Sequence, residues 1–130
     1  MRYKVCGFVG IVGFVLAASA AFAHHSVPGQ FDVSKPLTLK GVISKVDWIN
    51  PHIYVHLDVK EPDGTTSTWA LSTLPTAMMR LAGMTKEALQ GKPGEEVTIN
   101  AVPARDGSKH LGWINKITYA DGHTLSPTGQ

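Results

Sequence analysis

Cysteine is almost missing from the sequence, and the absence of thiols excludes several kinds of chemistry. Its one cysteine, Cys6, lies near the N-terminus, and no thiol follows residue 23. A segment without cysteine forms no disulfide and offers no thiolate nucleophile or thiolate metal ligand. The sequence also lacks an H-E-x-x-H motif, a phosphate-binding glycine loop and a serine-hydrolase elbow. These absences favour a binding protein over an enzyme.

Long apolar runs are also scarce, and the clearest one covers residues 5–18 (VCGFVGIVGFVLAA). It follows two basic residues and precedes a stretch of small residues that ends at Ala23. This order is typical of a secretory signal peptide, and the run is shorter than the roughly 20 residues of a membrane-spanning helix. We therefore expect cleavage after Ala23, which leaves a periplasmic or secreted protein that is free of the membrane and begins at His24.

An excess of charge of one sign is missing once this leader is removed. Arg2 and Lys4 leave with it, which reduces the twelve basic residues to ten, equal to the ten acidic residues. A neutral domain lacks the basic surface that nucleic-acid binding requires. The 107 residues that remain of the 130 are enough for one domain with one core. We expect the partner to be a small ligand or a periplasmic protein.

Five segments of the mature chain have the pattern of β-strands. The clearest is HIYVHLDVK, residues 52–60, in which apolar and polar residues alternate. The segment 37–49 changes its apolar parity at Gly41, which predicts a bulge or a bend. The remaining strands are predicted at 65–71, 94–102 and 110–120. The expected organisation is a signal peptide (1–23), an N-terminal arm (24–36), a β-domain (37–123) and a C-terminal tail (124–130).

A helix-like segment separates the third predicted strand from the fourth. Leu74, Ala77, Met78 and Leu81 recur at helical spacing, which predicts a helix with this face on the core. A second short helical turn is predicted over residues 85–91. Three strands, a helix and two more strands follow the order of a five-stranded OB-like β-barrel. A small open β-sandwich or a roll with one packed helix is the alternative.

Four short motifs resemble a family of small exported bacterial proteins that is classed as a domain of unknown function. They are AHHS at 23–26, WINPH at 48–52, GEEVT at 94–98 and RDGS at 105–108. The W-x-N-P-H element is the most specific of the four, and together they span most of the mature chain. The resemblance implies export and a small β-rich domain, but it implies no activity.

The histidines at the new N-terminus suggest a metal site. The free amine and the ring of His24 can chelate one ion, and these nitrogen donors suit Cu(II) better than zinc or nickel. His25 adds a neighbouring donor, and His52 at the Asn-Pro corner is the candidate from the domain. His52 and His56 lie about 13 Å apart on an extended strand, so they cannot both bind one ion. A flexible histidine pair that binds metal weakly is the alternative.

The corner itself is the candidate ligand-binding site, with Trp48, Asn50, Pro51 and His52 as its residues. Tryptophans on short strands are core residues more often than stacking platforms, and His52 has a purely structural alternative as a turn residue. We expect an exported, non-catalytic ligand- or partner-binding module. A copper-binding protein is the alternative, and a metal-dependent redox enzyme at the same histidines ranks third.

Overall fold

Six strands and three short helices form the part of the chain that the computed structural model describes, residues 26–127. The expected signal peptide, His24 and His25 lie outside the described residues. The strands are β1 Leu37–Trp48, β2 Ile53–Lys60, β3 Thr66–Ser72, β4 Glu96–Pro103, β5 Leu111–Thr118 and β6 Thr124–Leu125. The helices are α1 Val27–Gln30, α2 Thr76–Leu81 and α3 Lys86–Gln90. None of these helices has the length and apolar character that crossing a membrane requires.

Strands β1 to β5 close into a barrel. Antiparallel pairing gives the order β3-β2-β1-β4-β5, and a parallel pairing of Ala70–Ser72 with Leu111–Trp113 joins the two ends of that order. This is the expected mainly-β, OB-like barrel, with β6 as an additional strand. Two short helices lie between the third and fourth strands: α2 where the helix is expected, and α3 within the second helical turn predicted over residues 85–91.

The long first strand is shared between two partners. Its residues Leu37–Val42 pair with β4, and Val42–Trp48 pair with β2. Gly41 stands just before this change of partner, and a Cβ atom there would lie 2.9 Å from the carbonyl carbon of Asp58 and closer still to its oxygen. The register shifts between Ile43 and Lys45. At Gly41, where a bulge or a bend is predicted, the backbone of β1 therefore passes close to the Asp58 carbonyl of β2. The bulge itself lies a few residues later, between Ile43 and Lys45.

Alternating residues of the strands fill the barrel. Ile53, Val55 and Leu57 of β2 are fully buried, as their spacing predicts, while the residues between them are partly exposed. The fourth strand follows the same rule with Val97, Ile99 and Ala101. Leu89 of α3 is fully buried in this core, and the Thr85 hydroxyl caps α3 by accepting from the Ala88 amide at 3.1 Å. Local alternation therefore determines which faces meet inside the barrel.

The buried face of α2 differs from the prediction. Met79 and Thr76 are the buried residues of this helix, whereas Met78 is 51% and Leu81 90% exposed. The helix has only six residues and begins at Thr76. Leu74, the first residue of the predicted apolar face, therefore lies outside it. Fewer than two turns are too short for a stripe of period 3.6 to define the packed face.

The N-terminal arm packs against the outside of the barrel. Phe31 is buried against Trp113 and Val102 in a second, smaller apolar cluster, and its ring centroid lies 5.8 Å from that of Trp113. The expected C-terminal tail also begins with ordered structure, because β6 pairs with β5 and Pro127 is buried. The arm and this short strand thus extend the ordered domain at both ends.

Candidate functional site

A cleft of about 460 Å³ opens beside the arm on the outside of the barrel. The arm supplies one wall with Val27, Gln30 and Phe31, and Trp113 of β5 contributes an indole next to Phe31. Trp113 stands beside Ser72 in the parallel pairing of β3 and β5, so both residues are on the face opposite to the buried Leu71. The cleft is therefore outside the barrel core, in the region where the arm crosses the sheet.

The opposite wall comes from the corner before β2 and from the end of β3 with the segment that follows it. Pro51 and His52 form the first part, and residues 72–75 with Met78 form the second. Most of these side chains are apolar, and the imidazole of His52 and the hydroxyls of Ser72 and Thr73 are among the polar groups. A mostly apolar cleft with a few polar groups is the usual form of a small-molecule site.

The Asn50–Pro51 corner is tied to α2. Its peptide bond is cis, and the side-chain oxygen of Asn50 accepts a hydrogen bond from the Thr76 hydroxyl at 3.3 Å. The Thr73 amide donates to the carbonyl of Ile53 at 3.2 Å. These bonds connect the two parts of the wall and fix Pro51 and His52 relative to residues 72–75.

Two of the four residues predicted for the ligand site, Pro51 and His52, line the cleft. Asn50 supports the wall from behind through Thr76, and Trp48 packs partly buried against the barrel core. The tryptophan that lines the cleft is Trp113, whereas Trp69 also packs against the core. Trp48 and Trp113 are both followed by Ile-Asn, so the local sequence does not show which of them faces the cleft. The pairing of the strands decides this.

The remaining domain histidines have partners of their own, away from the cleft. The Nε2 atom of His56 lies 2.8 Å from a carboxylate oxygen of Asp47. Hydrogen bonds from Lys45 and from His56 hold the pKa of Asp47 below its usual value. His110 packs on Trp69, and His123 stacks on Tyr119 and hydrogen-bonds to Asp121. Between residues 26 and 127, no three His, Cys, Asp or Glu side chains gather closely enough to hold a metal ion.

The sequence reading missed the contribution of the arm. Phe31 is an isolated aromatic residue between polar neighbours, and this is the signal that could have predicted its burial. A second cleft, of about 430 Å³, lies on the other side of the arm and is lined by Phe31, Tyr54, Arg105 and Asp106. The arm therefore separates two depressions on the surface of the barrel.

The fold and the site define the class of the protein: a small closed OB-like barrel whose N-terminal arm forms one wall of an apolar cleft. The chain belongs to the family of unknown function DUF6152, whose model matches residues 13–123. Neither the curated proteins nor the solved structures contain a match to this chain.

Proposed function

We propose that the protein is an exported, non-catalytic binding module whose ligand occupies the cleft beside His52. The observation that carries this proposal is the convergence of the arm, the Asn50–Pro51 corner and β5 on one cleft of about 460 Å³. This volume lies in the range of small-molecule sites. The Phe31 and Trp113 rings favour a ligand with a flat apolar body, and His52 offers it one hydrogen-bonding group.

The test uses the fluorescent probe 1-anilinonaphthalene-8-sulfonate, which has such a body. We expect His52→Ala to weaken binding of the probe about fivefold, the equivalent of one hydrogen bond of about 1 kcal/mol. Because His52 is exposed, we expect the melting temperature to change by no more than about 2 °C. Fluorescence titration and thermal unfolding measure the two quantities.

The matched control is His123→Ala, which removes a histidine that does not line the cleft. Its probe affinity should equal that of the unchanged protein. If His52→Ala lowers the melting temperature strongly and leaves probe binding unchanged, His52 is a structural residue and the proposed ligand site is wrong.

A copper-binding function is the second candidate, and the position of the arm favours it. Val27 and His52 line the same cleft, and Ser26 immediately precedes Val27. His24 is two residues before Ser26, so the covalent chain keeps their Cα atoms within about 8 Å of each other. After cleavage at Ala23, the amine and ring of His24 and the neighbouring His25 would be the donors proposed to join His52. The amine and ring of His24 with the ring of His52 make three nitrogen donors, a set that suits Cu(II), and His25 adds another.

Calorimetric titration with Cu(II) tests this candidate on protein that begins at His24. We expect acetylation of the N-terminal amine to lower the affinity at least tenfold, because the acetyl group removes one donor of the chelate. The same titration of His52→Ala tests the domain ligand. Equal affinities of the free and acetylated proteins would exclude the amine as a ligand.

A further inference from the structure

One hydroxyl group inside the cleft lacks a hydrogen-bond partner. Ser72, the last residue of β3, is only 4% exposed, and its side chain forms no hydrogen bond within the described part of the chain. No fully enclosed side-chain oxygen or nitrogen of residues 26–127 is without a partner, so the Ser72 hydroxyl reaches open space. Because Ser72 lines the cleft, that space is the cleft. The hydroxyl is therefore a donor and an acceptor that a bound ligand can use.

Ser72 lies between two aromatic residues on the outer face of the barrel. It pairs with Tyr54 of β2 on one side and with Trp113 of β5 on the other. Trp113 lines the same cleft, and the ring of Phe31 packs on it with 5.8 Å between the ring centroids. The hydroxyl is thus a polar group beside an apolar, aromatic wall.

The other hydroxyl of the described cleft lining is already occupied. The Thr73 side chain donates to the carbonyl of Leu74 at 2.9 Å. No Asp, Glu, Lys or Arg is among the described residues that line the cleft. Burial of a charged group without a partner of opposite sign is unfavourable, so the ligand group that meets Ser72 is uncharged.

Arg105, in the turn between β4 and β5, holds the aromatic wall in place by binding the backbone of the arm. Its amide donates to the carbonyl of Gln30 at 2.8 Å. Its guanidinium donates from Nε to the carbonyl of Pro28 at 3.1 Å and from Nη2 to that of Phe31 at 3.4 Å. These bonds fix Phe31 relative to the sheet that carries Ser72, and a cleft that is fixed in this way loses little freedom when a ligand binds.

We propose that Ser72 determines the specificity of the cleft and that the ligand is a flat aromatic compound with an uncharged hydroxyl group; this inference rests on the binding function proposed above. A ligand that covers Ser72 without bonding to it leaves a buried hydroxyl unpaired, which weakens binding. A ligand hydroxyl can donate to the Ser72 Oγ atom or accept from it, so it fits in either orientation. Ser72 therefore distinguishes ring compounds of similar size by their polar group.

The experiment measures the binding of 2-naphthol and of naphthalene, the same ring system without the hydroxyl, by equilibrium dialysis. The hydroxyl of 2-naphthol, like that of tyrosine, is uncharged at neutral pH. We expect Ser72→Ala to bind 2-naphthol about fivefold more weakly and naphthalene with unchanged affinity, because only the first compound loses a hydrogen bond. The control is Ser67→Ala, which removes a serine hydroxyl of the same strand that does not line the cleft, and it should bind both compounds normally.

The two compounds separate the role of Ser72 from the function of the cleft. Equal weakening of both by Ser72→Ala, or no weakening of 2-naphthol, would overturn the role of Ser72. If the unchanged protein binds neither compound while its binding of 1-anilinonaphthalene-8-sulfonate depends on His52, this inference is wrong and the binding function stands. If none of the three compounds binds in a way that depends on His52, the ligand site and the role of Ser72 are both wrong.

Discussion

Replacing Gly41 by valine is expected to lower the free energy of unfolding by at least about 3 kcal/mol. A Cβ at this position would lie 2.9 Å from the carbonyl carbon of Asp58 and 3.2 Å from Cγ of Leu57. The first neighbour is backbone of β2, so the clash cannot be relieved by rotating a side chain. Strands β1 and β2 would have to separate where Val42 pairs with Asp58, next to the buried Leu57.

Urea unfolding followed by tryptophan fluorescence measures this loss, with Lys40→Ala as the control. Lys40 is the exposed neighbour of Gly41 and forms a surface ion pair with Glu96 at 2.9 Å. Such a pair contributes at most about 1 kcal/mol, so the control should remain close to the unchanged protein. A loss below about 1 kcal/mol for Gly41→Val would mean that the two strands can separate at this point at little cost.

Phe31→Ala is expected to release the arm and to lower the free energy of unfolding by about 3 kcal/mol. Phe31 is 6% exposed and is the arm residue buried in the second cluster, against Val102 and Trp113. Its loss uncovers Trp113, so the fluorescence emission should shift to longer wavelength before any denaturant is added. The barrel core lies elsewhere, and the strand signal in circular dichroism should therefore persist.

The arm also forms one wall of the cleft, so Phe31→Ala should reduce binding of 1-anilinonaphthalene-8-sulfonate as well as stability. The matched control is Val33→Ala, which shortens an apolar side chain of the same arm that is already 53% exposed. We expect this control to change stability by no more than about 0.5 kcal/mol. Normal probe binding by Phe31→Ala would show that the cleft does not depend on the arm.

The barrel could be predicted from the sequence because its determinants are local. The alternation in β2 and the turn residues between strands each reflect a few neighbouring positions, and the order of strands and helix then limits the topology. The face of α2 could not be predicted in the same way. This helix has only six residues, fewer than two turns, and it packs through Met79. Which of its residues enters the core depends on where the helix lies against the barrel.

The candidate site was predictable only in part, for a related reason. Pro51 and His52 are marked by a local motif, whereas their neighbours in the cleft come from the arm and from β5. Arg105, in the RDGS motif, gives no local signal of its role, because the carbonyls of Pro28 and Phe31 that its side chain binds lie 77 and 74 positions away in the sequence. Contacts over such distances leave no periodic signal in a single sequence.

The parallel pairing of β3 with β5 has a consequence for self-association. In an open sheet with the same strand order, β3 and β5 would be the two edges, and unpaired edges allow further chains to add strand by strand, as in amyloid. Here Leu111–Trp113 of β5 are paired with β3, and Ile117 and Thr118 further along are paired with β6. Polymerisation through this strand would first have to break pairings that the folded chain already makes.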